Sequence, residues 1–100
     1  MDRRNEIFEL LEKERESIRA FGVRELGVFG SFARGEQKPD SDVDVLVDLE
    51  PERETFRDYM GLLFHLEELF GRKVDLVMKD TIKPLIRERV LRETVYVSGF

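Results

Sequence analysis

The sequence predicts an α/β domain in two layers, with helices packed on one side of a sheet. Three observations carry that prediction. β-Branched residues alternate with other types through Ser41–Val47, and alternation returns in Arg72–Met78, as in strands. Apolar residues in the flanking segments recur at helical spacing instead. In both strands the alternation also separates two unlike faces. Val43, Val45 and Val47 oppose Asp42, Asp44 and Leu46, while Val74, Leu76 and Met78 oppose Asp75. The valine face belongs under the helices, which leaves the aspartate face open.

The elements follow in order. An opening helix spans about residues 2–20, with Ile7, Leu10, Leu11 and Ile18 as its apolar stripe and Gly22 as its stop. Its Glu12–Glu16 run is a solvated face of mixed sign. Strands follow at about 24–30 and 42–49, joined through the turn-forming Gly35–Ser41 segment, and Pro51 closes the second. A helix from about Thr55 to Phe70 begins on a Thr55/Asp58 capping pair and stops at Gly71. The third strand covers about 73–78. Thr81 and Pro84 open a last helix through about Arg92, with Leu85, Ile86, Val90 and Leu91 as its apolar positions; Thr94–Val97 then fits a short extra strand.

Chemistry concentrates in one spacing: Gly30-Ser31, ten residues, then Asp42-Val43-Asp44. On a strand, residues i and i+2 share a face roughly 6.7 Å apart, so both carboxylates point to one place. Oxygen ligands so placed suit Mg²⁺, either one ion or a pair about 3.5–4 Å apart. At Gly30 no side chain keeps the backbone from phosphate oxygens, and Ser31 is placed to act as N-cap of a single helical turn. Either half alone reads as an ordinary turn or an exposed strand start. Composition alone would join the four positions in about one random chain per thousand, so the pair is a signal. Asp75 is costly inside an apolar strand unless it is paired or metal-bound. A partner in Arg72 or Lys73 is one account. A place beside Asp42 and Asp44, binding metal and accepting a hydroxyl proton, is the other. Three carboxylates so gathered repel, and without metal at least one should have a raised pKa.

At these residues the chain resembles the minimal nucleotidyltransferases of the DNA polymerase β superfamily. The likeness runs from the helix before Gly22 to the helix after Pro84, and Gly30–Val47 is its specific core. The resemblance implies a small mixed sheet, two Mg²⁺ ions, and transfer of a nucleoside monophosphate from ATP or another NTP to a hydroxyl. By position it gives Gly30 and Ser31 to the triphosphate, Asp42 and Asp44 to the metals, and Asp75 to the third carboxylate role. Arg34 lies in the same motif, where a phosphate contact and a solvated side chain are both open. Stand-alone proteins of this kind are commonly encoded beside HEPN-domain ribonuclease toxins, which implies an antitoxin that adds AMP to a tyrosine of that partner. A non-catalytic antitoxin that acts by binding is the alternative, as is an enzyme modifying a small molecule such as an aminoglycoside.

Composition narrows the field. One hundred residues suit a single domain, residues 1–100, without a second lobe for a template. A net charge of −5 argues against extensive nucleic-acid binding. No apolar run approaches the roughly 20 residues that cross a bilayer, and Met1–Glu6 lacks a signal peptide's apolar segment. Cysteine is absent, which fits a cytoplasmic setting and removes thiolate metal sites. The helix around Leu62 and Phe64 has a wider apolar arc than a core stripe needs. Core filling explains it; so does a surface for another chain, making a homo- or hetero-oligomer. Tyr96–Phe100 is a second candidate dock, and His65, the single histidine, is solvated or partner-facing rather than catalytic.

Overall fold

The computed structural model describes residues 3–100, so Asp2, where the opening helix was expected to begin, lies outside the described residues. The chain forms α1 (Arg3–Lys13), α2 (Arg15–Arg19), β1 (Val23–Phe29), α3 (Gly30–Arg34), β2 (Val43–Leu49), α4 (Phe56–Phe70), β3 (Val74–Met78), α5 (Pro84–Glu93) and β4 (Val95–Tyr96). Single 3₁₀ turns at Pro51–Arg53 and Lys79–Thr81 complete it. The strands lie in the order β3-β2-β1-β4. β1 runs antiparallel to β2 and β4, and β2 runs parallel to β3, so the sheet is mixed.

The valine face buries as its alternation requires. Val43, Val45 and Val47 join Leu26, Val28, Val74 and Leu76 beneath Ile7, Leu11, Ile18, Leu62 and Leu66 of α1, α2 and α4. Nine of these side chains have no exposed surface at all: Leu11, Ile18, Leu26, Val28, Val43, Val45, Val47, Leu62 and Leu66. Each contributes about 1.5–3 kcal/mol by leaving water. Helix α4 is fixed at both ends by local chemistry. Thr55 Oγ1 accepts the Asp58 amide at 3.1 Å, and Gly71 ends the helix with φ +66°. Tyr59 donates from its hydroxyl to the Leu76 carbonyl at 2.6 Å, tying α4 to β3.

Several expectations need correction. The opening helix breaks at Glu14, whose φ −97° and ψ 17° leave helical geometry. Glu12 and Glu16 would repel one turn apart in a continuous helix, which weakens it there. Gly30 begins α3 rather than ending β1, and Asp42 precedes β2 rather than starting it. Helices on one face describes α1, α2 and α4 but not α5. The last helix crosses to the aspartate face, where Ile82 and Val90 bury Leu46 with Phe29, Val77 and Leu91. The reason is Leu46 itself: an apolar residue on that face has to be covered. Leu85, expected in the stripe, is 96% exposed. Leu62 is core, while Phe64 stays exposed on the far side of α4. His65 packs its ring 5.6 Å from that of Phe21.

Candidate active site

Strand register builds the site. Phe29 pairs with Asp44 across β1 and β2, and Asp44 with Asp75 across β2 and β3. The three therefore stand in one row on the open face, about 4.8 Å apart from strand to strand. Gly30 follows Phe29 directly and turns the chain into α3 with φ +70°. A Cβ there would stand 2.0 Å from Asp44 Oδ2, so glycine is what lets the Asp44 carboxylate lie against the turn.

Asp42 sits in the loop before β2, and that loop is held from two sides. Ser41 Oγ accepts the Lys38 amide at 2.8 Å, and the Ser41 amide donates to the Lys38 carbonyl at 3.0 Å. Arg72 donates from Nη1 to the Ser41 carbonyl at 2.7 Å, and its guanidinium lies 5.2 Å over the Phe32 ring. Arg72 thus joins the two halves of the motif, a role that sequence reasoning did not assign. Among the described residues no ion pair links Asp75 to Arg72 or Lys73, and the exposed Asp75 carboxylate lines a cavity on the β3 side of the row.

Charge accumulates at Asp44. Half-burial, reinforced by the Asp75 and Asp42 carboxylates, pushes its carboxyl up to about 6; Arg34 opposes the rise and Glu93 adds to it. A raised carboxyl was expected from crowding of the aspartates; burial is the larger cause and the crowding adds to it. Glu93, at the end of α5, is the residue that sequence reasoning missed. Its Oε1 accepts the Gly30 amide at 3.0 Å and also the Arg34 guanidinium. Nothing local distinguishes Glu93 from Glu88; only the packing of α5 across the sheet brings it here.

Ser31 is the second residue of α3 and not its N-cap, since Phe29 holds that position and its side chain makes no capping bond. The expected capping role is therefore withdrawn; the Ser31 carbonyl accepts the Glu36 amide at 2.9 Å. Arg34 is half-exposed and paired with Glu36 as well as Glu93.

Two openings flank the row. A cleft of about 590 Å³ is lined by Gly30, Arg34, Arg89 and Glu93, with Phe29, Ile86 and Val90 forming its apolar wall. A more apolar cavity of about 330 Å³ lies beside Asp75 against Val77, Thr81 and Ile82. The donors at the row are carboxylate oxygens alone, a set that fits a hard divalent cation. In this arrangement, no group of three or more such side chains among the described residues is drawn together as a finished metal site.

The nucleotidyltransferase domain family matches residues 9–97. The protein adenylyltransferase MntA of Thermococcus cleftensis is 52% identical over 93 residues, which cover 92% of this chain and 93% of the relative. A solved structure assigned to the minimal nucleotidyltransferases is 40% identical and superimposes with a TM-score of 0.73, covering 95% of both chains. A solved toxin–antitoxin complex with AMP-PNP has a TM-score of 0.68 at 22% identity, covering 97% of this chain and 73% of that one. That last likeness concerns the fold.

Proposed function

This chain belongs to the nucleotidyltransferase domain family, and from that premise we propose that it transfers AMP from ATP to a tyrosine hydroxyl of a partner HEPN ribonuclease toxin, as that toxin's antitoxin. The observation that carries the reading is the row of Phe29, Asp44 and Asp75 across three adjacent strands, with Gly30 turning off its end against the Asp44 carboxylate. The name of the relative that is 52% identical, a protein adenylyltransferase, supports a protein as acceptor.

The row divides the labour. Gly30, Ser31 and Arg34 take the phosphates on the β1 side. Asp42, Asp44 and Asp75 hold Mg²⁺, with two ions the expected number. When bound, the cation polarises the α-phosphate and offsets charge on the leaving oxygen. An in-line reaction needs the acceptor opposite the leaving group, and the Asp75 side is opposite Gly30. There Asp75 accepts the proton of the hydroxyl as its oxygen bonds to the α-phosphorus. The bond from the α-phosphorus to the α,β-bridging oxygen breaks, and pyrophosphate departs on the Arg34 side. No helix among the described residues is long and apolar enough to cross a membrane. The lack of cysteine suits the reducing cytoplasm, where such a pair would work.

Substoichiometric amounts of this chain, with Mg-ATP, should silence a HEPN ribonuclease encoded in the same operon. Intact-mass analysis should show AMP units on that protein, and Asp75→Asn should remove them. Inhibition at one chain per partner, without ATP and without a mass change, would overturn the enzymatic reading in favour of binding alone. Transfer to an aminoglycoside but not to the toxin would move the acceptor to the small-molecule class.

A further inference from the structure

The reaction just described gives Glu93 no task, yet Glu93 holds two groups that the reaction uses. One carboxylate oxygen takes both the Gly30 amide, at 3.0 Å, and the Arg34 guanidinium. The side chain is only 19% exposed, although it is an acid placed near three others. Ile86, Arg89, Val90 and Glu93 fall at i, i+3, i+4 and i+7 of α5, one face of a helix, and all four line the cleft that opens at Gly30 and Arg34. The cleft therefore already contains an anion on a backbone amide and a guanidinium. A second guanidinium, Arg89, lies one turn before that anion on the same helix.

We infer that Glu93 is a resident stand-in for phosphate: its carboxylate occupies the seat of the nucleotide's polyphosphate tail, leaves when the tail enters, and is then received by Arg89. The inference rests on the reading of Gly30 and Arg34 as phosphate ligands. Carboxylate and phosphate oxygens compete for the same N–H donors, and a guanidinium fork serves either. In the empty protein Glu93 satisfies the Gly30 amide, shares the Arg34 guanidinium with Glu36, and keeps both donors oriented. Once the tail binds, like charges expel the carboxylate, and a pairing with the residue four positions earlier is within its reach. The exchange makes and breaks no covalent bond and moves no proton.

Calorimetry on the full chain, with tripolyphosphate and with AMP-PNP as separate probes, tests the exchange without any transfer step. Glu93→Gln keeps the shape and removes the competing charge, so it should bind both probes about three- to tenfold more tightly, the scale of one part-exposed charge pair. Arg89→Met should weaken both probes in the parent but have little effect in Glu93→Gln, because the displaced carboxylate is then gone. Unchanged or weaker binding in Glu93→Gln overturns the inference. So does an Arg89→Met effect of equal size in both backgrounds, which would make Arg89 a direct phosphate ligand. Arg34→Met tests the underlying reading separately. Unchanged binding there removes the seat and the stand-in together, whereas weakened binding with no gain in Glu93→Gln removes the stand-in alone.

Discussion

Gly30 and Asp44 depend on each other, because the space a side chain would need at position 30 is taken by the Asp44 carboxylate. Gly30→Ala therefore combines a left-handed φ of +70° with a collision. It should cost about 2 kcal/mol in chemical denaturation. In Asp44→Ala the collision disappears, so the same substitution should cost about 1 kcal/mol less there, as a double-mutant cycle would show. Purely additive costs would mean the two residues do not share that space. Asp42→Asn and Asp44→Asn should each lower AMP transfer by roughly 10²- to 10⁴-fold at matched Mg²⁺ and ATP, about 3–5 kcal/mol of lost electrostatic stabilisation. Full activity in either would remove that aspartate from the reaction. Gly30, Asp42 and Asp44 could be singled out from spacing alone, because strand and turn geometry are local. Glu93 could not, since its partners lie 59 and 63 residues away.

At the scale of elements, end chemistry was readable and packing was not. The Thr55 cap and the Gly71 stop follow from residue types within one turn, and both occur in the structure. Thr55→Ala should cost about 1 kcal/mol in thermal unfolding with no change in nucleotide affinity; an altered affinity would tie α4 to the site. Arg72 behaves differently. It braces the Asp42 loop through Ser41 and stacks on Phe32 of the opposite half of the motif. Arg72→Met keeps the length of the side chain but loses both contacts. It should slow transfer about tenfold while costing only about 1 kcal/mol of stability. A loss of stability without loss of rate would make Arg72 purely structural. The path of α5 is the feature the helical pattern did not give. Periodicity names its apolar residues but not which face of a sheet they cover.

For the whole molecule, the burial of Asp44, reinforced by the carboxylates around it, makes stability depend on pH. Asp44 titrates near 6 in the folded chain and near its ordinary value when unfolded. Between those values the metal-free folded state holds a proton that the unfolded chain has released, so this group favours folding at low pH. That contribution is lost as pH rises through about 6. Discounted for its partial exposure, the effect is about 1 kcal/mol. Without metal, the parent should lose that much stability relative to Asp44→Asn between pH 5 and pH 7, and Mg²⁺ should restore it at pH 7. A parent and mutant with parallel pH profiles would mean that neither burial nor the neighbouring carboxylates raise Asp44 in the folded chain.

Spacing over a few residues was enough to specify the strands, the α4 boundaries and the shared face of Asp44 and Asp75. It also determined the family, since the Gly30–Asp44 motif is contiguous. The rest came from contacts between distant parts of the chain. Register across β1, β2 and β3 put Phe29, Asp44 and Asp75 in one row. The need to cover Leu46 drew α5 over the aspartate face and brought Glu93 to Gly30. Those contacts join residues far apart in the chain, and no local pattern encodes which of several equivalent side chains will meet.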